Sequence, residues 1–246
     1  MLNIQHIGTV GSVLDAAWEA VEAGTLPVFD SIVASAQTAG RGQYRRTWFS
    51  PEGNLYAALR LPGTPPFLGT EAAVAIGAWI TEAFCQAGYP ASLKWPNDVV
   101  VQFLDRPVKV CGILLEERTG TVMAGIGVNV NHSPDISGMR EETALEAGTL
   151  RAAAQVYGLP QPTVKNVWDL LLKNIYSSYT SNIGQLCAWK PAAVRHLLWR
   201  GMPVALVDGG KQTAGILQEV GPSGELILET DGAPQVFLRG SIRYCG

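Results

Sequence analysis

The spacing of apolar residues in the first half of the chain is typical of several strands and two helices. Ser12 followed by VLDAAWEAVEAG predicts an N-cap and an amphipathic helix, and residues 69–88 are predicted to form a long buried helix. Apolar or alternating runs predict strands at residues 31–36, 55–61, 92–95, 99–103, 108–116 and 122–130. This order favours an α+β domain, with both helices against one side of a sheet, over a regular βαβ repeat.

The second half changes first to a helical period and then back to alternation. Helices are predicted at residues 141–157, 164–182 and 188–198. From residue 202 onwards, apolar positions alternate between DGG, GPSG and DGA turns. We therefore expect a main domain over residues 1–185 and a small β domain over residues 199–246. The second is too short to be stable alone and should pack against the first.

Composition narrows the function classes further. The chain has 246 residues, 47% of them hydrophobic and 16% charged, so it can bury a large core. A net charge of −3 offers no broad positive surface for nucleic acid. The 4 cysteines form no CxxC pair, which argues against a metal or redox motif and fits a reducing compartment. With no signal-peptide pattern and no span-length apolar run, we expect a cytoplasmic protein without a membrane segment.

The loop between the predicted strands at 31–36 and 55–61 has an unusual composition. It reads QTAGRGQYRRTWFSPEGN, with three glycines, three arginines and a tryptophan. Glycine allows the backbone to approach a ligand closely, and arginine offers a fork of donors suited to carboxylate or phosphate. Taken alone, the stretch fits an ordinary charged surface loop equally well.

Three further motifs follow the loop: LKWPND at 93–98, KVCGILLE at 109–116 and GIGVNVN at 125–131. In this order and at this spacing, the four stretches resemble the biotin protein ligases of the biotin/lipoate protein ligase superfamily, in the form without an N-terminal DNA-binding domain. The resemblance implies a mixed-sheet catalytic domain with helices packed on it and a small C-terminal SH3-like β-barrel.

The resemblance also implies an activity and partners. The family activates biotin with ATP as an acyl-adenylate and passes the acyl group to a lysine of a carrier domain, such as biotin carboxyl carrier protein. Mg²⁺ would share the phosphate charge. DNA and membrane partners are not expected, and a homodimer is compatible with the family.

Roles for individual residues follow from the same resemblance. Lys109 and Arg41 would be catalytic, at the carboxylate and the α-phosphate. The substrate-binding residues would be Ser12, Gln37, Gly40, Gly42 and Gly112. The nucleotide-binding residues would be Trp48, Lys94, Asn97, Asp98 and Asn129. Asp98 would meet Mg²⁺ or a hydroxyl, without a dedicated metal site. Structural alternatives remain open: Trp48 would otherwise anchor the loop in the core, and Asn97 and Asp98 would otherwise hydrogen-bond their own turn.

The chain departs from the family pattern in three places. The segment 10–12 reads Val-Gly-Ser where the family has Ser-Thr-Asn, which binds the ureido ring of biotin. Gln43 replaces an arginine of the loop and Arg45 replaces a glycine. The segment between Asp98 and Lys109 is longer than usual. These departures leave two alternatives: a lipoate or octanoate transferase of the same fold, or a catalytically weakened protein that binds an acid or a nucleotide.

Overall fold

The computed structural model describes residues 2–134, 145–185 and 187–245. The first sheet contains β1 (Ile4–Val10), β2 (Ser31–Gln37), β3 (Leu55–Leu61), β4 (Ala91–Lys94), β5 (Asp98–Phe103), β6 (Arg106–Arg118) and β7 (Thr121–Val128). The second contains β8 (Pro203–Asp208), β9 (Lys211–Val220), β10 (Leu226–Thr230), β11 (Ala233–Phe237) and β12 (Ser241–Tyr244). The helices are α1 (Val13–Glu22), α2 (Ala72–Gln86), α3 (Leu150–Tyr157), α4 (Val164–Thr180) and α5 (Lys190–His196).

The first sheet is mixed, as expected for an α+β fold. Its strands pair in the order β1-β2-β3-β7-β6-β5-β4. β1 runs parallel to β2, and the other neighbouring pairs are antiparallel. β1 was not predicted from the sequence. It lies at the edge of the sheet and its residues are half-buried or exposed, so IQHIGTV lacks the apolar pattern of an interior strand.

The helices cover both faces of this sheet, so the expectation that both early helices lie on one side is wrong. α1 packs in a small cluster with alternate strand residues such as Tyr56 and Ala58. α2 and α4 pack in the large cluster with Ala57 and Leu59, which point the opposite way. One face therefore carries a thick helical layer, whereas the other is only partly covered by a single helix.

The later helices confirm the predicted periodicity but correct one boundary. α3 begins at Leu150 instead of residue 141, and Thr149 caps it by accepting a hydrogen bond from the Ala152 amide. Residues 145–149 are not helical, because Ala147 forms a parallel bridge with Lys109 of β6. Residues 141–144 lie outside the described part of the chain. No helix in the described ranges is long and apolar enough to cross a bilayer.

The second sheet is antiparallel, in the order β11-β10-β9-β8-β12, and fits a small SH3-like domain. Among the described residues, β11 and β12 do not pair to close a barrel. The Trp95 indole donates to the carbonyl oxygen of Gly224 at 2.8 Å, and Val204 and Leu217 join the large core cluster of the first sheet. The two sheets thus share one continuous core, as their sizes require, and the division at residues 185 and 199 stays a prediction.

A buried hydrogen bond joins α4 to the first sheet and offers a test of this packing. The Trp168 indole donates to the Ser31 hydroxyl at 3.0 Å. Ser31→Ala leaves the indole N–H buried without an acceptor, so we expect the free energy of unfolding to fall by about 1–3 kcal/mol in urea denaturation. Ser177→Ala, on the exposed face of α4, is the control and should change it by less than about 0.5 kcal/mol. Equal effects of the two substitutions would contradict this role for Ser31.

Candidate active site

A cavity of about 1120 Å³ opens on the thinly covered face of the first sheet. Its walls come from the N-terminus of α1, from residues 41–44 and 46–49, from the turn before β5, from β6 and β7, and from the second sheet. All the site residues predicted from the sequence line this cavity except Gly40. Motifs far apart in the chain therefore meet at one place.

An irregularity in β6 brings two of these residues to the same side. Lys109 and Gly112 are three positions apart, so regular alternation would point them to opposite faces. The register of β6 against β5 shifts at this point, and both Val110 and Cys111 are buried in the core. This bulge restores Gly112 to the side of Lys109, whose Cε would lie 3.4 Å from a Cβ at Gly112.

The ammonium of Lys109 is held by the first residue of β5. Its Nζ lies 2.6 Å from Asp98 Oδ1, and both side chains are largely buried. Asn97 fixes the preceding turn, because its amide donates to the Ile113 carbonyl at 2.8 Å. Asn97 therefore serves the turn in this structure, whereas the Lys109–Asp98 pair faces the cavity.

The indole of Trp48 lies flat against the floor of the cavity. A Cβ at Gly112 would meet its ring at 2.8 Å, and one at Gly127, the partner of Gly112 in the β6–β7 ladder, would meet it at 2.7 Å. Lys109 Nζ lies 5.2 Å from the ring centroid, within reach of a cation–π contact. The indole Nε1 is buried without a hydrogen-bond partner among the described residues.

Gln37 joins the arginine loop to the start of α1. Its side-chain oxygen accepts from the Val13 amide at 2.8 Å, and its side-chain nitrogen donates to the Ser50 hydroxyl at 2.9 Å. Ser12, the N-cap of α1, makes no side-chain capping bond and is 3% exposed at the cavity wall. Its hydroxyl is thus available to a ligand at the positive end of the helix.

Gly40 and Gly42, the two loop glycines predicted to bind substrate, occupy different positions relative to the cavity. Gly40 is off the cavity, and a Cβ there would meet the Trp48 carbonyl at 2.6 Å, so this glycine permits the tight turn of the loop. Gly42 lines the cavity, and its amide donates to the Arg46 carbonyl at 2.7 Å.

Arg41 is fully engaged by acidic side chains. Its guanidinium contacts Asp15 in a bidentate pair at 2.7 and 2.8 Å, and Glu116 at 3.2 Å. This hydrogen-bonded pair holds the pKa of Asp15 below its usual range. In this conformation Arg41 ties the loop to α1 and β6, and a role at a phosphate requires it to exchange these partners.

Lys94 and the second sheet form the far wall. Lys94 is 3% exposed, and this burial lowers its pKa. Its Nζ lies 3.3 Å from the Ser241 hydroxyl, and the turn at Asp208 also reaches the cavity. Asn129, 3% exposed, lines the same region at the end of β7. Sequence reasoning missed the contribution of the second sheet, since no local pattern reports a contact across so many residues.

The carboxylate and imidazole side chains of the described residues decide where a metal ion could be held. Within the described ranges, no three His, Cys, Asp or Glu side chains cluster so as to hold a metal ion. The cavity carboxylate of Asp98 is already paired with Lys109. A divalent cation bound beside Asp98 would share this carboxylate with Lys109.

The sequence of this region decides the family. Residues 10–132 match the biotin/lipoate A/B protein ligase family. The chain belongs to this family. The match covers half of the chain and includes the loop, Lys94 to Asp98, Lys109 and Asn129, so it covers most of the cavity described above but not the wall formed by the second sheet.

Relatives within the biotin/lipoate ligase family match most of the chain. The bifunctional ligase/repressor BirA of Salmonella typhimurium is 32% identical over 236 residues, 89% of this chain and 68% of that protein. The biotin–[acetyl-CoA-carboxylase] ligase of Paracoccus denitrificans is 28% identical over 87% of this chain and 90% of that protein. Two further relatives match over 115 residues, so the chain spans only 33% of their length. The biotin protein ligase of Aquifex aeolicus, solved with biotin and ATP, superposes with a TM-score of 0.79 at 27% identity, covering 100% of both chains.

The contact between Trp48 and the strand glycines can be tested directly. Gly127→Ala puts a methyl group where the indole lies, so we expect the ring to leave the cavity floor. In protein labelled with fluorotryptophan, the Trp48 resonance, assigned with Trp48→Phe, should shift towards the solvent-exposed position. Gly8→Ala, where a Cβ meets nothing within 4 Å, is the control. An unshifted Trp48 resonance in Gly127→Ala would show that the indole does not rest on this floor.

Proposed function

We propose that the protein is an ATP-dependent ligase that activates biotin as biotinyl-adenylate and transfers the biotinyl group to a lysine of a carrier protein. The observation that carries this proposal is the Lys109–Asp98 pair beside Gly112, in a cavity with apolar and cationic walls. The names of the relatives and the biotin and ATP bound by the Aquifex aeolicus protein support the choice of acid and nucleotide.

The acid binds across the cavity floor. Leu14 and Gly127 offer apolar surface, the Ser12 hydroxyl offers a polar contact to the ring end, and Lys109 attracts the carboxylate. The ring competes with the Trp48 indole for the floor. Trp48 therefore moves when the acid enters, and its exposed edge is then free to cover the adenine.

The first chemical step joins the carboxylate to the nucleotide. A carboxylate oxygen attacks the α-phosphorus, the new C–O–P linkage forms, and the bond to the pyrophosphate leaving group breaks. Lys109 stabilises the negative charge on the entering carboxylate and the α-phosphate. Lys94 is buried, so an approaching phosphate offsets the cost of its charge and gains a strong partner. Asp98, which is paired with Lys109, would also be the carboxylate to contact Mg²⁺ bound with the triphosphate, and the ion would share the charge of the leaving group.

The second step releases AMP. The amine of a carrier lysine attacks the acyl carbon, an amide bond forms, and the bond to the adenylate oxygen breaks. A biotin carboxyl carrier protein or a similar domain is the partner, and a reducing cytoplasm fits the free cysteines of the described chain.

Two other functions remain to be separated from this one. A lipoate or octanoate transferase would act on a linear acid, and a weakened binding protein would hold the acid or the nucleotide without turnover. Pyrophosphate exchange measured over a panel of acids distinguishes them. Exchange with biotin supports the ligase, and exchange with lipoate or octanoate alone supports an enzyme that activates those acids. Transfer of an octanoyl group from a donor to a carrier without ATP supports the transferase, and binding without exchange or transfer supports the third.

The role of Lys109 predicts a specific loss of activity. Lys109→Ala should lower both biotin-dependent pyrophosphate exchange and carrier labelling on the order of a hundredfold or more, because one oriented charge is removed. Lys165→Ala removes an exposed lysine that is likewise paired with an aspartate, Asp169, and is the matched control. A folded Lys109→Ala protein that keeps most of its activity would remove this lysine from the mechanism.

The segment at residues 10–12 predicts weak recognition of the biotin ring. It offers the Ser12 hydroxyl, while the carbonyls of Val10 and Gly11 already accept from the Thr38 and Ala39 amides. We therefore expect calorimetry to give weaker biotin binding than is usual in the family. Ser12→Ala should weaken it further by about fivefold, the loss of one neutral hydrogen bond, with Ser177→Ala as the control. Tight, selective biotin binding that Ser12→Ala leaves intact would refute both expectations.

A further inference from the structure

A second cluster of reactive side chains lies away from the cavity, where α2 meets α5. Cys85 and Glu82 are on the last turns of α2, three residues apart and hence on one face. His196, the last residue of α5, stands between them. None of these residues lines the cavity, so the proposed ligase chemistry leaves the cluster unexplained.

The imidazole of His196 bridges the thiol and the carboxylate through its two nitrogens. Its Nε2 lies 2.7 Å from Glu82 Oε2, and its Nδ1 lies 3.8 Å from Cys85 Sγ. A carboxylate accepts, so Nε2 carries a hydrogen and Nδ1 of the neutral ring presents its lone pair to the thiol. This is the order nucleophile, base, orienting carboxylate found where a thiol is activated by an imidazole.

The surroundings stabilise a positive charge on the imidazole. The Cys85 sulfur and the Glu82 carboxylate together hold the pKa of His196 above its usual range. His196 in turn holds the pKa of Glu82 below its usual range. Arg195 of α5 also faces Glu82, at 3.4 Å, and β4 presents the backbone carbonyl of Ala91, 3.5 Å from Cys85 Sγ.

The thiol is also reachable. Cys85 is partly exposed, in contrast to Cys111, which is buried and whose pKa is raised by that burial. Cys187 and Cys245 are more exposed than Cys85, but the described structure gives neither of them a histidine partner. Cys187 and Cys245 thus serve as references for exposed thiols without a neighbouring histidine, and Cys111 serves as the reference for a buried thiol.

We propose that Cys85 is a reactive thiol and a site of reversible S-modification by low-molecular-weight disulfides, with His196 as its base and Glu82 as the residue that positions His196. The thiol proton passes to His196 Nδ1, and the thiolate attacks one sulfur of the disulfide. A bond forms between Cys85 Sγ and that sulfur, and the original S–S bond breaks. The departing thiolate takes the proton from the imidazolium, so the histidine is restored.

The experiment isolates Cys85 in the full chain. In a Cys187→Ser/Cys245→Ser protein, the rate of reaction with a chromogenic aromatic disulfide reports Cys85, and unreacted Cys111 certifies that the protein is folded. At about pH 6.5 we expect Cys85 to react about tenfold faster than Cys187 in a Cys85→Ser/Cys245→Ser protein. His196→Gln should remove this advantage at about pH 6.5 and alter the rate little at about pH 9, where thiols ionise unaided.

Glu82→Gln provides the second measurement, because it keeps the size of the side chain. It should reduce the rate at about pH 6.5 by less than His196→Gln does, since the base remains but loses its orienting charge. A purely structural contact between the helices predicts that both substitutions expose the thiol and speed its reaction. Faster reaction in either variant, or equal rates for Cys85 and Cys187 at both pH values, would overturn the proposal.

Discussion

The bulge in β6 is the constraint on which the arrangement of the site depends. In a regular strand, successive side chains point to opposite faces of the sheet. A lysine three residues before a glycine would therefore lie on the opposite face from that glycine. By burying two consecutive residues, Val110 and Cys111, the strand puts Lys109 and Gly112 on the open face together. The same shift brings Asp98, paired with Gly112 in the ladder, within 2.6 Å of the lysine.

Two cations of the site are already paired with carboxylates in the structure. Lys109 is paired with Asp98, and Arg41 with Asp15 and Glu116. Lys94 forms no ion pair within the described residues: its ammonium is nearly completely buried, lies 3.3 Å from the Ser241 hydroxyl and is attracted by Asp98 from further away. For Lys109 and Arg41, the carboxylate partners offset the desolvation cost of the buried charge in the folded protein. A phosphate that enters the cavity would therefore gain most by pairing with Lys94.

The sequence predicted which residues line the cavity more accurately than it predicted the edges of the fold. Lys109, Asp98 and Gly112 were found because the motifs carry them in a fixed order, and the sheet then gathers the motifs. The edge strand β1 was missed because its residues are half-buried or exposed, and their sequence therefore lacks the apolar pattern of a buried strand. The start of α3 was misplaced because the segment before it pairs through Ala147 with Lys109 near the start of β6, a long-range contact that outweighs local helical propensity. The bulge could not be predicted, because a continuous apolar run in the sequence looks the same with or without a shift in strand register.

The position of Trp48 sets a minimum apolar surface that a ligand must have in order to occupy the cavity floor. The floor over Gly112 and Gly127 is filled by the protein's own indole, so an incoming molecule must take over contacts that already exist. An indole covers on the order of 200 Å² of apolar surface, and returning all of it to water would cost up to about 5 kcal/mol. A small acid such as acetate has too little surface to compensate for that loss. The side chain therefore acts as a resident competitor, which discriminates against abundant small metabolites without any group that repels them.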